Sequence, residues 1–517
     1  MIDNPLVLTF DFGTQSVRTA LVNKKGDIEA IVKTNYDPAY YSLKKGYAEQ
    51  NPDFYLEKVF SSLEKLAKKY HDLFSRVIGA TVTTFRDTAV LLDENNKPIR
   101  DSILWLDQRT AEAKEKLPLI HRLLFFVVGM SNTVKLNRKR TIAHWVKENE
   151  PENWKKVKKY VNLSTYIIYK LTNKLVDSSA SYAGHYPINF KKVKWYKNGA
   201  LKGRLFGIDH SLLPEIKNPG EVLGVISDEI ADKYNIPRNI KIYASGSDKG
   251  CETIGLGALS DEIAAVSYGT ACTVEVSNKK YHEPETFLPA YQAGIKGWYN
   301  MEVQIYRGYW MLTWFAKNFA SEEVNEAKIQ QLAAEEVLNE KLKSIPPGSD
   351  GLVLQPYWGP GLKRPLAKGS IVGFSDIHTR VHLYRAIIEG IAYALKEGLE
   401  SIQRSQHKKV KHIMISGGGS QSEAICQITA DIFGLPVSRV QTFETTTLGA
   451  AAATFIGCGI YKNFDEAKQN MIHISDTFYP NKEAHEKYTY LYKKVYLKMY
   501  PNFKSVYRDL KKYDSKF

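Results

Sequence analysis

At ~100–200 residues per domain, a chain of 517 residues predicts more than one folded unit. Hydrophobic residues at 44% and charged residues at 25% exclude a fibrous, collagen-like or mainly disordered protein. Lysine and arginine number 71 against 56 aspartates and glutamates, a net +15 that fits either a polyanionic partner or a lysine-rich background.

Four cysteines, Cys251, Cys272, Cys426 and Cys458, form no CxxC pair, so neither a disulfide framework nor a zinc site is expected and a reducing, cytoplasmic setting is. The start, Met1-Ile2-Asp3-Asn4-Pro5, lacks the basic-then-apolar pattern of a secretory signal. Apolar stretches around 123–130 and 448–461 are too short to span a bilayer. The lysines are dispersed, and no zinc-finger, RNP or KH signature accompanies them. Neither a nucleic-acid nor a membrane partner is therefore expected.

In chain order, the first informative segment is an apolar strand running into Asp11-Phe12-Gly13-Thr14-Gln15-Ser16, with a second strand leaving it and a third beyond a turn at 23–27. A Gly-Thr loop between antiparallel strands exposes N–H groups and a hydroxyl to a phosphate, and it also serves as a plain hairpin turn. Gly13 permits close approach because it has no Cβ. Asp11 would repel a bare phosphate, which points to a bridging Mg²⁺. Further on, the adjacent pair Arg86-Asp87 offers donors and acceptors suited to vicinal hydroxyls, or a surface ion pair. Asp248 follows an apolar strand, 242–244, and a Gly/Ser loop that leads into a helix. A carboxylate there is either an active-site group at a strand's C-terminal end or a helix N-cap.

Strand, Gly269-Thr270, strand recurs over 264–276, half a chain after the first hairpin. The recurrence suggests two domains of similar fold closing on a nucleotide. A third loop, Ser416-Gly417-Gly418-Gly419-Ser420, joins a strand to a helix and reads as a site of ligand approach rather than a tight turn alone. Beyond 488, tyrosines and apolar residues at helical spacing alternate with lysines, as in an amphipathic helix that buries its Tyr/Leu face.

Together these segments resemble the FGGY carbohydrate kinase family. The likeness runs in order from Leu6 to about Tyr500 and includes Tyr47-Ala48-Glu49-Gln50-Asn51-Pro52, Ile103-Leu104-Trp105-Leu106-Asp107-Gln108-Arg109, Gln355-Pro356-Tyr357-Trp358 and Thr447-Leu448-Gly449-Ala450-Ala451. The resemblance implies an α/β fold of two actin/hexokinase/Hsp70-like (ribonuclease H-like) domains with an interdomain cleft. It implies a sugar-binding domain over 1–257, an ATP-binding domain over 258–460 and a helical extension over 461–517. The expected activity is transfer of the γ-phosphate of ATP to a hydroxyl of a small sugar or polyol. The acceptors to consider are a ketopentose such as xylulose or ribulose, and glycerol or another polyol.

Carried over by position, Asp248 matches the family's catalytic aspartate. Asp11, with Asp248, would hold Mg²⁺, through water in the case of Asp11. Thr14, Gln15 and Arg18, with Gly13, would face the γ-phosphate; a strand-edge surface arginine is the other reading of Arg18. Gly269 and Thr270 would hold the α/β-phosphates, and Gly418 and Gly419 would border the adenosine. Arg86, Asp87, Trp105, Asp248 and Lys249 would contact the substrate, although Trp105 also suits a core position. The dipeptide Arg86-Asp87 departs from the Met-His of xylulokinases and is closer to the Arg-Glu of glycerol kinase. Lys249 stands where the family commonly has Asn or Gln. It would pair with Asp248, contact an anionic substrate, or point away into a capping role. The rivals are an Hsp70/actin-like ATPase, which calls for a further partner-binding module, and a catalytically silent sugar-binding regulator, which calls for loss of these residues. A homodimer is expected.

Overall fold

Every residue of the strand Leu6–Phe12 is buried, as the centre of a sheet covered on both faces requires. The computed structural model describes residues 3–285, 288–358 and 364–516, the side chains of 514–516 excepted. Met1 and Ile2, part of the N-terminal pattern read above, lie outside the described residues, as does Phe517.

The chain divides into two units, one of Met1–Gly257, Tyr291–Tyr299 and Glu444–Ile472, the other of Ala258–Ala290, Asn300–Phe443 and His473–Phe517. In the first, six strands lie in the order Val222–Val225, Lys241–Tyr243, Val77–Thr84, Leu6–Phe12, Ser16–Asn23, Ile28–Asn35. The first three strands in sequence pair antiparallel, and Val77–Thr84 then runs parallel to Leu6–Phe12. The crossover between them is the helix Pro52–Lys69, which starts because Asn51 accepts from the Asp53 N–H and Pro52 pre-sets the first turn. Its residues Tyr55, Leu56, Val59, Leu63 and Leu66 recur at helical spacing and enter the core of this sheet.

The second unit repeats that order. Tyr299–Ile305, Cys272–Asn278, Ile263–Tyr268, His412–Ser416 and Val437–Val440 succeed one another across its sheet, with Ile474–Phe478 antiparallel at the edge. Ile263–Tyr268 pairs antiparallel with Cys272–Asn278 and parallel with His412–Ser416, as the corresponding strands do in the first unit. The α/β class and the repeat inferred from the two Gly-Thr hairpins are both present.

In the tail, Tyr488, Tyr492 and Tyr496 are buried and pack their rings on Tyr393, while Lys493 and Lys494 between them are exposed. The i, i+4 stripe read from the sequence is the buried face. Among the described residues no helix is long and apolar enough to cross a membrane.

Asp177 is buried in the short strand Val176–Ser178 of the first unit, which pairs parallel with Glu215–Lys217. Its carboxylate accepts from Ser164 Oγ at 2.5 Å, Thr165 Oγ1 at 2.7 Å and the Ser178 N–H at 2.6 Å. Burial outweighs those donors and pushes its pKa up to about 6. The folded state therefore holds a proton that the unfolded chain releases near pH ~4, and stability is lost as pH rises between the two values. Urea unfolding from pH 4 to pH 7 should show the native chain losing about 2–3 kcal/mol more than Asp177→Asn over that interval.

Candidate active site

In the first unit, Asp11 is paired across the hairpin with Arg18. Its Oδ2 accepts from Thr447 Oγ1 at 3.0 Å, a residue 436 positions away in the chain. Arg18 turns its Nε to within 2.5 Å of Glu444 Oε2, and its Nη1 would lie 3.3 Å from any Cβ at Gly13. The loop glycine thus makes room for the guanidinium. Burial raises the Asp11 pKa to about 7; Arg18 and the Thr447 hydroxyl pull it down, and the negative charges of Glu444 and Asp248 push it up.

Asp248 is the first residue of the helix Asp248–Gly255, and the N-cap is its neighbour Ser247, which accepts from the Gly250 N–H at 3.3 Å. The capping role left open for Asp248 belongs to Ser247 instead. The loop before it is tied on two sides: Ser245 Oγ meets Thr81 Oγ1 at 2.8 Å, and the Ser245 carbonyl accepts from Ser178 Oγ at 2.5 Å. The Asp248 carboxylate accepts from the Lys249 N–H at 2.8 Å. Burial raises its pKa, against the charges of Arg86 and Lys249. Lys249 Nζ itself reaches Glu252 Oε2 at 2.6 Å, one turn along the helix, so its ammonium influences Asp248 from the side.

The helix Thr445–Gly457 brings Glu444 and Thr447 to this place by lying directly on Asp248–Gly255. A Cβ on Gly255 would sit 1.9 Å from the Thr445 carbonyl oxygen, and one on Gly449 would sit 1.8 Å from that of Cys251. Only glycine fits at either position.

Nearby, Asp87 adopts φ +55° and is clamped by His185, whose backbone N–H lies 2.9 Å from Oδ1 and whose Nδ1 lies 2.6 Å from Oδ2. Burial would raise the Asp87 pKa, but the His185 charge and hydrogen bonds outweigh it and hold the carboxyl below its usual range. Arg86 stacks its guanidinium 5.1 Å from the centre of the Tyr291 ring. Thr88 Oγ1 accepts from the Trp105 N–H at 3.3 Å, while the indole Nε1 is buried without a hydrogen-bond partner among the described residues. The motifs around Tyr47 and Trp105 prove to be one scaffold. Arg109 bridges Asp107 and Glu49 and stacks 3.8 Å from the Tyr47 ring centre, and Asp107 accepts from the Ala48 N–H at 2.6 Å.

In the second unit, the carbonyl of Gly269 accepts from the Tyr309 N–H at 3.1 Å, and that of Thr270 from the Trp310 N–H at 3.5 Å. Gly417, at φ +80°, leaves no room for a Cβ against the Tyr268 backbone, and Gly419 none against Tyr268 and Tyr309. Gly418 has ordinary clearance, 3.6 Å to Tyr309. Gly417 and Gly419 thus carry a packing constraint against the hairpin, beside the ligand approach read from the loop. Among the described residues no group of three or more His, Cys, Asp or Glu side chains is placed to hold a metal.

Glu444, Thr447, His185 and Tyr291 were not read as site residues. Thr447 was visible only as part of a motif, and the other three carry no local pattern.

Residues 6–255 match the N-terminal domain and residues 264–458 the C-terminal domain of the FGGY family of carbohydrate kinases. The chain belongs to that family. It is 28% identical over 504 residues to a xylulose kinase of Lactococcus lactis subsp. lactis, covering 96% of each chain. Among solved structures it is similar to a ligand-bound xylulose kinase from Lactobacillus acidophilus, with TM-score 0.82, 22% identity and coverage of 98% of this chain and 100% of that one. A gluconate kinase from the same organism gives TM-score 0.82 and 23% identity at the same coverage. The chain is thus an ATP-dependent sugar or polyol kinase, a phosphotransferase with an alcohol acceptor, and nothing supports the ATPase or silent-regulator rivals.

Gly449→Ala should force the two helices apart. Thermal unfolding is expected to fall by the equivalent of about 1–3 kcal/mol, and kinase activity should drop with it, whereas Ala450→Gly on the same helix should keep more of its activity.

Proposed function

We propose that this kinase phosphorylates a hydroxyl of a small, polyhydroxylated sugar or polyol, with Asp248 as the general base. The observation that carries the reading is the placement of Asp248: partly buried at the first position of its helix, behind the tied Ser245–Ser247 loop, and left uncommitted as a cap by Ser247. As the acceptor oxygen forms its bond to the γ-phosphorus and the bond to ADP breaks, the hydroxyl proton passes to the Asp248 carboxylate. A raised pKa makes that carboxylate a stronger base than an exposed aspartate.

Asp87, kept ionised by His185, accepts from substrate hydroxyls, and Arg86 and the Trp105 Nε1–H donate to them. Lys249 contributes charge beside Asp248. This set suits ketopentoses such as xylulose or ribulose, and glycerol or related polyols. Curated relatives named xylulose kinase favour the former, and the Arg86-Asp87 pair favours the latter.

Gly13, Thr14, Gln15 and Arg18 face the γ-phosphate, Gly269 and Thr270 the α/β-phosphates, and Gly418 and Gly419 the adenosine. Residues 1–257 then serve the sugar and 258–460 the nucleotide, although 444–460 pack with the first unit, and 461–517 form an extension that is helical apart from the edge strand Ile474–Phe478. Mg²⁺ arriving with ATP would neutralise phosphate charge. Asp11 and Asp248 fit it, because Asp11, whose ionisation the Asp248 charge opposes, and Asp248 itself offer hard oxygen donors to a cation that keeps most of its waters. The four dispersed cysteines support a cytoplasmic setting.

A coupled assay across xylulose, ribulose, glycerol and erythritol should find one accepted substrate. With that substrate Asp248→Asn should lower kcat by about 10²–10⁴-fold while ATP affinity stays within about threefold. A variant retaining a tenth or more of the native kcat would refute the assignment.

A further inference from the structure

The two apolar stretches singled out in the sequence meet opposite fates. Residues 448–457 lie within the buried helix Thr445–Gly457. The other stretch belongs to the helix Leu119–Val127, from which Leu119, Ile120, Leu123, Leu124, Phe126 and Val127 project with 49–77% of their surface exposed. Phe125 turns inward, against Leu117 and Val134, with Met130, Leu201 and Leu205 packed around them. At 100° per residue the exposed six form a continuous arc of about 160°, opposite Phe125. Six large apolar side chains exposed side by side make a contiguous patch of the kind that marks an interaction site. Nothing in the proposed phosphoryl transfer uses it.

The surroundings say what covers it. Residues 112–140 carry seven lysines and arginines against two glutamates, and residues 197–205, which hold Leu201 and Leu205, carry three more with no acid. Lys114, Lys116, Arg122 and Lys135 are exposed. A second copy docking here through a two-fold axis would set this patch against itself and bring its cations together. An anionic lipid surface neutralises them and accepts the arc, which has the width of a helix lying in the plane of a membrane interface.

We propose that Leu119–Val127 docks the kinase on an anionic lipid surface, its apolar arc entering the headgroup boundary and the surrounding lysines and arginines meeting lipid phosphates. This departs from the expectation of no membrane partner, which rested on the absence of a spanning segment. The contact is peripheral and independent of the substrate reading.

Sedimentation of the full chain with vesicles of phosphatidylglycerol and phosphatidylcholine, against vesicles of phosphatidylcholine alone, tests it. The native chain should sediment with the anionic vesicles, less so as salt is raised. The double variant Leu123→Glu, Phe126→Glu should lose on the order of tenfold or more of that binding. Its kinase activity in vesicle-free buffer, which reports an intact fold, should stay within about twofold. The proposal is overturned if the native chain ignores anionic vesicles, or if the variant binds them as well as the native chain does. It is equally overturned if light scattering shows a dimer that the variant dissolves with no vesicle binding, since a second copy would then be the occupant.

Discussion

Gly255 and Gly449 let one helix lie on the bare backbone of another, and the first unit's chemistry hangs on that contact. One helix carries Asp248 at its first residue, and the other carries Thr447 in its first turn with Glu444 just ahead of it. Any side chain at either glycine would occupy the place of a carbonyl oxygen, so the spacing is set by main-chain atoms rather than by adaptable side chains. From it follow the hydrogen bond of Thr447 to Asp11 and the ion pair of Glu444 with Arg18.

The contact also concentrates charge where water is scarce. Asp11 and Asp248 are both raised in pKa by burial, and each is opposed by an arginine, Arg18 for the first and Arg86 for the second. Burying carboxylates in this way costs stability unless donors and cations compensate. The first unit supplies that compensation for Asp87, through His185, more fully than for Asp11 and Asp248. The two under-compensated groups are those assigned to base and metal. The fully compensated one is assigned to holding hydroxyls.

How much of this was legible in the sequence follows chain distance. The Gly-Thr hairpins, the loop before Asp248 and the tyrosine stripe of the tail are local patterns, and the fold contains all three. Thr447 meets Asp11 across 436 positions and His185 meets Asp87 across 98, so no spacing rule could pair them. Gly417 and Gly419 were legible as special but not as packing residues, because Tyr268, which excludes a Cβ from both, lies in a different strand. Composition was ambiguous in the same way: residues 448–457 and 119–127 are both apolar, yet only tertiary context buries the first and leaves the second exposed. The net charge of +15 fits either a polyanionic partner or a lysine-rich background, and around that exposed helix it acquires a local distribution.

The central claim is that Asp11 and Asp248 act as one unit, held together by the glycine crossing. A double-mutant cycle on kcat/KM with Asp11→Asn and Asp248→Asn tests it most directly. The account predicts strong non-additivity, the double variant falling little below the worse single one, as for residues that serve one step. Losses that simply multiply would show two independent groups and contradict it.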